Sequence, residues 1–455
     1  MSEQFKEQGG AATMDPSALM RWLTSMVMSR VVSTKRLEKR RTKAEKHRQA
    51  NNQPHVVEYF HQVDDGYSHL AAQALGALAE RYTIDLQCHL VSGPIGENAP
   101  EPDLLIDLSR YDASKIAPYY GLVFPQNRDA PSAKLLEMTK SILAGFSSQD
   151  FVTHTATVGN ALWSGSETVL QALAEQFGLT SDSEVNAKHD LGNARRGSLK
   201  HYSGAMFYYG GEWYWGVDRL YHLEQRLHAL GADRNPDTPK IMPKQDVSVG
   251  KLRDNGSLTL ELFGSVRSPY TAIVFDRVLA LAETTGVTLN VRPILPMVMR
   301  GVSATREKGI YIFTDAAREA RASNVPYGDF YDPIGEPARR CYSLYPWACS
   351  QGKGNALLSS FLSAAFAKGI NTNNDRGLRQ VVENAGLDWA SAKQIVGQDG
   401  WQEILEDNRL AMYDSGLWGA PSFRLLDADK NVVLALWGQD RLWLFEREIQ
   451  NLLAK

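Results

Sequence analysis

Residues 258–294 read LTLELFGSVRSPYTAIVFDRVLALAETTGVTLNVRPI. The apolar run at the start is typical of a buried strand, and after a turn at Ser268-Pro269 an apolar helix leads into a second strand. Serine is a preferred N-cap because its hydroxyl accepts a hydrogen bond from a free backbone N–H, and proline suits the first helical position. The stretch therefore predicts a strand–helix–strand unit whose helix is capped by Ser268.

An earlier stretch carries the same pattern, since residues 56–91 read VVEYFHQVDDGYSHLAAQALGALAERYTIDLQCHLV. When the two stretches are aligned, Phe60 falls on Phe263 and Tyr67 on Tyr270, and the two predicted helices have similar lengths. Segments 199–227 and 413–449 also match, and the matched groups are Gly204-Ala205 with Gly419-Ala420, Trp215-Gly216 with Trp437-Gly438, and Asp218-Arg219-Leu220 with Asp440-Arg441-Leu442. Matches in the same order indicate an internal repeat.

Each half predicts a β-α-β unit, a helical insertion, a β-hairpin and a terminal helix. The insertions would cover 93–198 and 295–415, and the hairpins would turn at Gly210-Gly211 and around Asp427–Asn431. Residues 231–256 are rich in Pro, Gly and charge, as domain boundaries tend to be. We expect an N-terminal helix and basic segment at 1–50, a first domain at 51–235, a linker at 236–256 and a second domain at 257–455.

The composition excludes several classes of function. The chain has 455 residues and a formal net charge of −3, which argues against nucleic acid as its main partner. It has no long apolar run that predicts a membrane span, and its first residues, MSEQFKEQGG, lack the features of a secretory signal. The cysteines, Cys88, Cys341 and Cys349, lack C-x-x-C spacing, which excludes a dithiol redox centre and a cysteine-rich zinc site. We expect a cytoplasmic protein with no metal site.

The N-terminal segment allows two interpretations. Asp15-Pro16 predicts a helix start, and apolar residues recur at helical spacing at Leu19, Leu23, Met26, Val27 and Val31. From Lys35 to Arg48 the sequence KRLEKRRTKAEKHR is strongly basic. We expect residues 15–34 to dock through the apolar stripe and the basic segment to be solvated and partly disordered. The alternative is contact with an anionic membrane surface or nucleic acid.

The element order resembles that of DsbA-like thioredoxin folds. The second half is similar to the 2-hydroxychromene-2-carboxylate isomerases and kappa-class glutathione transferases. The motifs that carry this likeness follow the family order across 257–455 and read RSPYTA, VRPILPMVMRG, KGIYIFTDAAREARASNVPYGDF, AFAKGINTNNDRGLRQVVENAGLD, GLWGAPSF and GQDRLWLFEREI. The first half resembles the family more thinly, through LSRYDASKIAPYYGLVFP. The resemblance implies an α/β fold of two tandem thioredoxin-like domains, each with a long DsbA-like helical insertion.

The resemblance also implies a chemistry. In this family a serine, here Ser268, takes the fold's usual cysteine position, Thr271 takes the next one, and the reactive sulfur belongs to glutathione. Ser268 would donate a hydrogen bond to the glutathione thiolate, which a helix N-terminus also favours. A cis proline, Pro421, would leave the backbone of Ala420 open to pair with glutathione. The resemblance also implies that Asp440, beside Gln439, takes the γ-glutamyl amine of glutathione, and the alternative is that Asp440 only caps the last helix. Arg300 and Lys308 are candidates for the carboxylates of glutathione.

The first half departs from this pattern at two positions. Asp65 stands where Ser268 stands, and a carboxylate would repel a thiolate. Met206 stands where Pro421 stands, and we expect its preceding peptide bond to be trans because a non-proline cis bond is costly. The first domain is therefore predicted to be a degenerate copy with a structural role, packed on the second as one subunit packs on another in a dimer.

Two hypotheses follow from the sequence. The first is a glutathione-dependent isomerase or transferase that acts on a small apolar or aromatic substrate, as a pseudo-dimer within one chain that could function as a monomer. The second is a catalytically silent thioredoxin-fold binding or scaffold protein. Binding of glutathione to the protein would distinguish them.

Overall fold

A computed structural model describes residues 15–126, 129–248, 250–302 and 304–454. The chain divides into two compact units. The first unit comprises Glu38–Gln245, and the second comprises Asp246–Lys455 together with Met1–Leu37. In the described residues, no helix is both long enough and apolar enough to cross a membrane.

Each unit contains one four-stranded sheet. The strands of the first sheet are β1 Val56–His61, β2 Asp85–Leu90, β3 Met206–Tyr209 and β4 Glu212–Trp215, in the order β2-β1-β3-β4. The strands of the second sheet are β5 Thr259–Gly264, β6 Thr288–Pro293, β7 Ser422–Leu426 and β8 Val432–Trp437, in the order β6-β5-β7-β8. In both sheets the first two strands in the chain are parallel and the other pairs are antiparallel.

Helices precede, separate and follow these strands, and most of them lie between the second and third strands of each unit along the chain. In chain order up to the end of the first unit they are α1 Ala18–Val32, α2 Thr34–Ala50, α3 Gly66–Ala72, α4 Leu75–Arg81, α5 Pro102–Ile116, α6 Ala133–Ala144, α7 Ser148–Trp163, α8 Glu167–Phe177, α9 Asp182–Ser198 and α10 Gly216–Ala229. The remaining helices are α11 Pro269–Thr285, α12 Arg306–Ala322, α13 Glu336–Ser350, α14 Gly354–Phe366, α15 Asp375–Asn384, α16 Trp389–Ile395, α17 Trp401–Asp414 and α18 Leu442–Leu453.

This architecture confirms the predicted fold class of two thioredoxin-like α/β domains with long helical insertions. The central strands are mostly apolar, as strands buried on both faces tend to be, and every residue of β5 is buried, Glu261 included. The first hairpin turns at Gly210 and Gly211, where both residues have positive φ angles of 50° and 86°. Such a turn favours glycine, as the sequence predicted.

The two units share contacts as well as topology. The Tyr67 hydroxyl donates to Asp112 at 2.6 Å in the first unit, and the Tyr270 hydroxyl donates to Asp315 at 2.8 Å in the second. The two partners are 45 residues apart in both cases. Each pair joins the first turn of the helix that follows the central strand to the first long helix of the insertion. The matched positions support the internal repeat that the sequence indicated.

One helix of the first unit departs from the predicted pattern. The helix that connects its first two strands is divided into α3 and α4, whereas the corresponding helix of the second unit, α11, is continuous. Gln73 lies at the break, where its side chain donates to the carbonyl of Val123 and accepts from the N–H of Val123, both at 2.9 Å. The side chain of Gln73 thus binds an insertion segment at the point where the helix is interrupted.

The N-terminal helix α1 docks on the second unit through a face that the sequence did not predict. Arg21 is 1% exposed and donates to the carbonyls of Asp332 and Ile334, at 2.8 and 2.6 Å. The Ser25 hydroxyl accepts from the Asp332 N–H at 2.9 Å. The buried face is therefore polar, and the prediction of docking through the apolar stripe was wrong. Ser17 rather than Asp15 caps the helix, because the Asp15 carboxylate instead pairs with Arg21.

The prediction of a partly disordered basic segment at 35–48 was also wrong. These residues belong to helix α2. Lysine, arginine, glutamate and alanine are good helix formers, and two ion pairs add to this preference. Arg41 binds both carboxylate oxygens of Glu212, at 2.7 and 2.8 Å, and Arg48 binds Glu45 one turn earlier.

Candidate functional site

Ser268 lies where β5 ends and α11 begins. Its hydroxyl accepts from the N–H of Thr271 at 3.1 Å, as an N-cap does, which confirms the predicted cap. The same hydroxyl donates to the carbonyl of Ala420 at 2.9 Å. Since a hydroxyl has one proton, that proton is engaged by Ala420 in this structure. Ser268 therefore joins the start of the helix to the loop that precedes β7.

A buried tyrosine stabilises the turn before Ser268 through hydrogen bonds. The Tyr342 hydroxyl accepts from the N–H of Val266 at 3.1 Å and donates to the carbonyl of Ile294 at 2.9 Å. Burial raises the pKa of Tyr342, so the hydroxyl keeps its proton. Thr271 supports the same turn, because its hydroxyl accepts from the N–H of Ser265 at 3.3 Å. The backbone around Ser268 is thus held on two sides.

A chain of polar contacts connects this turn to α1. Arg267, directly before Ser268, forms a two-point ion pair with Asp332 at 2.9 and 3.1 Å. The main chain of Asp332 in turn binds Arg21 and Ser25 of α1. The N-terminal helix therefore supports the residue that fixes Arg267. Sequence reasoning did not find this link, because its partners lie 311 and 307 positions apart.

The loop that faces Ser268 contains the residues predicted to pair with glutathione. The Ala420–Pro421 peptide bond is cis, as predicted. The carbonyl of Pro421 accepts from the N–H of Gly438 at 2.9 Å, which places the loop beside the turn that opens the last helix. That turn, Gln439–Arg441, is a short 3₁₀ helix and includes Gln439 and Asp440. Contacts thus run without interruption from Ser268 through the proline loop to Asp440.

Gln439 is anchored within the protein. It is buried and donates to Glu319 of α12 at 3.3 Å, and it also donates to the neighbouring carboxylate of Asp440. Arg277 of α11 donates to the Gln439 side-chain oxygen at 3.2 Å. Two helices therefore fix this side chain, and it positions Asp440, whose side chain is partly exposed.

Arg300 and Lys308 lie in the insertion and are both buried. Burial lowers the pKa of Arg300, and its electrostatic neighbours include Tyr413 and Arg409 of α17. Burial also lowers the pKa of Lys308 to about 8, so its ammonium loses its proton more readily than an exposed lysine does. Their assignment to the carboxylates of glutathione stays a prediction.

A small recess lies behind the Ser268 turn. Its cavity volume is about 10 Å³, and its lining residues are Gly264, Ser265, Val266, Thr271, Phe275, Val291, Pro293, Leu358 and Leu362. Pockets for small ligands typically measure roughly 300–1,000 Å³. An aromatic substrate would therefore need the insertion helix α14 to move away, or would have to lie outside this recess.

The corresponding turn of the first unit has a different chemistry. Asp65 caps α3 and accepts from the N–H groups of Tyr67 and Ser68, at 3.3 and 2.9 Å, and from the Ser68 hydroxyl at 2.8 Å. Burial raises the pKa of Asp65 to about 6, and the hydrogen bonds from Ser68 oppose that rise. Asp65 therefore corresponds to Ser268 in position, but it places a carboxylate at the start of the helix.

The predicted equivalence of Met206 and Pro421 was wrong by one residue. Met206 pairs with Phe60 and Trp215, as Ser422 pairs with Phe263 and Trp437. The carbonyl of Ala205 accepts from the N–H of Gly216 at 2.7 Å, as that of Pro421 accepts from Gly438. Ala205 is thus the counterpart of Pro421. It has a positive φ of 53°, and Ala420–Pro421 is the one cis bond among the described residues.

A protein-family model described as a DSBA-like thioredoxin domain matches residues 259–450. Those residues form a DsbA-like thioredoxin domain. No curated protein matches the chain.

Solved structures with some likeness to this chain include a 2-hydroxychromene-2-carboxylate isomerase, at 19% identity and a TM-score of 0.36, covering 43% of this chain and 95% of that one. A probable DsbA oxidoreductase from Streptomyces coelicolor has 16% identity and a TM-score of 0.33, with 43% and 90% covered. The cytosolic disulfide reductase DsbM from Pseudomonas aeruginosa, in a structure with GSH, has 17% identity and a TM-score of 0.33, with 43% and 100% covered. Likenesses at this level say nothing about the chemistry of this chain.

Proposed function

We propose that the second domain, residues 257–455, binds glutathione and uses it in an isomerase or transferase reaction on a small apolar or aromatic molecule. The observation that carries this proposal is the position of the Ser268 hydroxyl, which both caps α11 and donates to Ala420 at 2.9 Å. A hydroxyl at a helix start, against the cis-proline loop, is suited to hold a thiolate without being oxidised itself. The absence of any C-x-x-C pair disfavours a dithiol oxidoreductase.

In this proposal Ser268, Ala420 and Asp440 each have a role. Ser268 turns its proton from the Ala420 carbonyl towards the sulfur, and the carbonyl that it leaves can then accept a peptide N–H. Asp440, held in place by Gln439, receives the γ-glutamyl amine as an ion pair. Glutathione supplies a thiolate that can add to an electron-poor substrate. The N-terminus of α11 favours the negative charge through its dipole.

The first domain, residues 51–235, is proposed to contribute no glutathione site. Asp65 is largely ionised above pH 6, because its pKa is about 6, and its charge would repel a thiolate. Ala205, with its positive φ, replaces the proline of the second loop. We propose that this domain is a degenerate copy with a structural role, that 236–256 is the linker, that 1–50 is an N-terminal helix and basic segment, and that the chain works in the cytoplasm.

Two observations favour the alternative of a silent binding or scaffold protein. The recess behind Ser268 is small, and the Ser268 proton is already engaged by Ala420. Under this alternative Ser268 is only a cap and a loop anchor, and the protein has no affinity for glutathione.

Calorimetric titration of glutathione and of S-methylglutathione onto the full-length protein distinguishes the proposed function from the alternative of a silent binding or scaffold protein. We expect glutathione to bind, S-methylglutathione to bind at least about tenfold more weakly because it cannot form the thiolate, and Asp440→Asn to weaken both ligands about equally. Equal binding of the two ligands, or no binding of either, would refute the proposed function. Glu403→Gln, at an exposed position of α17, is the control for a change of charge.

A further inference from the structure

The N-terminal helix α1 has its apolar face turned away from the protein. Its docked face is mainly polar and consists of Arg21, Ser25 and Ser29, spaced one helical turn apart, with the buried Val32 at its end. The opposite side carries large apolar residues, and the most exposed are Leu19 at 64%, Met20 at 55%, Trp22 at 50% and Val27 at 50%. At 3.6 residues per turn, Leu23 and Met26 project from the same side and are only half-buried, and the exposed Arg30 lies on this side in the last turn.

Such a face is unusual for a docked helix. A helix on a globular protein normally buries its apolar side and leaves its polar side to water. Contiguous exposed apolar residues mark sites of interaction with another apolar phase. Because Arg21 forms hydrogen bonds to two buried carbonyls, α1 is fixed in the orientation that exposes this face.

The next helix is strongly cationic. Only Ser33 separates α1 from α2, and α2 contains eight lysines or arginines and two glutamates in the sequence TKRLEKRRTKAEKHRQA. Arg41 and Arg48 are held in ion pairs. In the described part of the chain the other six form no ion pair and all are exposed; they are Lys35, Arg36, Lys39, Arg40, Lys43 and Lys46. Most of them lie one helical turn apart, so they form a cationic stripe along α2.

We propose that these two helices, residues 18–50, are a docking segment for the surface of an anionic lipid bilayer. The apolar face of α1 would enter the boundary between headgroups and acyl chains, and the cationic stripe of α2 would attract the lipid headgroups. The two features act together, since apolar insertion alone or a basic patch alone gives weak and readily reversible attachment.

Charge and apolar surface together select this partner. A nucleic acid would bind the cationic stripe, but its phosphate backbone would leave the apolar face of α1 in water. A second copy of the chain could cover the apolar face, but it would bring another strongly cationic helix with it, and like charges repel. An anionic bilayer offers both an apolar phase and negative charge.

Sedimentation with vesicles tests this proposal on the full-length protein. The vesicles are phosphatidylcholine with phosphatidylserine, and phosphatidylcholine alone. We expect strong binding to the anionic vesicles, weak binding to the neutral ones and loss of binding at high salt. Lys35→Glu/Lys39→Glu/Lys43→Glu should weaken binding by about a hundredfold or more, since each basic residue near such a surface contributes about fivefold. Leu19→Ser/Trp22→Ser should weaken it by at least about tenfold.

Two variants serve as matched controls. Leu191→Ser/Ile95→Ser removes other exposed apolar side chains, and Lys188→Glu/Lys251→Glu/Lys368→Glu makes the same charge change at other exposed positions. Both should bind like the wild type. Absence of vesicle binding would overturn the proposal. Loss of vesicle binding in the charge variant but not in Leu19→Ser/Trp22→Ser would also overturn it, because it would indicate a general polyanion site. A dimer in sedimentation velocity that Leu19→Ser/Trp22→Ser dissociates would overturn it as well.

Discussion

At the scale of single residues, the same place in two sheets holds a serine in one unit and an aspartate in the other. Both cap a helix, because either side chain offers an oxygen to the N–H groups of the first turn. They differ in what else they can do. Ser268 has a proton to donate, whereas Asp65 above pH 6 has only a negative charge. A cap alone therefore does not decide function at this position.

The pKa of Asp65 leads to a prediction about stability. Its value of about 6 in the fold exceeds the ordinary 3.8, so the folded protein holds this proton more tightly than the unfolded chain does. Stability should then fall as pH rises from about 4 to above 6, where the folded carboxyl ionises. Asp65→Asn cannot ionise, so the melting temperature of the variant relative to wild type should increase over this range and level off above pH 7. A difference that does not change with pH, or that decreases, would contradict the pKa.

Sequence reasoning identified some residues of the candidate site but not the residues that support them. Ser268, Pro421 and Asp440 were recognisable because they stand in short motifs next to predicted helix starts and strands. Tyr342, Asp332 and Arg21 were not, because each contacts a partner that is distant along the chain. The buried guanidinium of Arg21 binds backbone carbonyls, and such a contact produces no periodic pattern in the sequence. The apolar stripe of α1 therefore led to a wrong prediction of the face that docks.

At the scale of elements, the packing of α9 on β2 depends on one glycine. A Cβ atom built on Gly192 would lie 1.9 Å from the carbonyl oxygen of Leu90, whereas one on Gly197 in the same helix would meet nothing within 4 Å. A strand backbone cannot move aside as a flexible side chain can. Gly192→Ala should therefore cost about 3 kcal/mol or more in the free energy of unfolding.

Gly197→Ala is the matched control for this helix. Alanine is favoured over glycine in helices, so this variant should gain up to about 1 kcal/mol. Both values can be measured by denaturant unfolding monitored by circular dichroism. Equal stability of the two variants would show that α9 does not approach β2 as closely as described.

The strands were predictable from the sequence, whereas the exact register of their pairing was not. The repeat was visible because Phe60 and Phe263 stand at the same place in β1 and β5, and each begins a similar run towards a helix. The match of Met206 to Pro421 was one residue off, because the loops before β3 and β7 share a Gly-Ala pair that is not equivalent in the fold. The register is decided by how the strands pair, and the sequences of the two loops do not indicate that pairing.

At the scale of the whole molecule, the two units have the same strand order and different chemistry at the same turn. If the proposed function is right, a chain with two thioredoxin-like domains binds one glutathione, in the second domain. The number of binding sites per chain is therefore as informative as the affinity, and a second site at Asp65 would contradict the role proposed for the first domain.

The thiolate of bound glutathione, followed by its ultraviolet absorbance against pH, tests the central claim most directly. We compare wild type, Ser268→Ala and Ser268→Asp. Wild type should bind one glutathione with a lowered thiol pKa, and Ser268→Ala should raise that pKa by about one to two units, since a hydrogen bond to a charged group is worth about 1.5–3 kcal/mol. Ser268→Asp keeps the cap and installs the residue of the first domain, so it should abolish binding. An unchanged thiolate titration in Ser268→Asp would contradict the account and leave Ser268 as a cap alone.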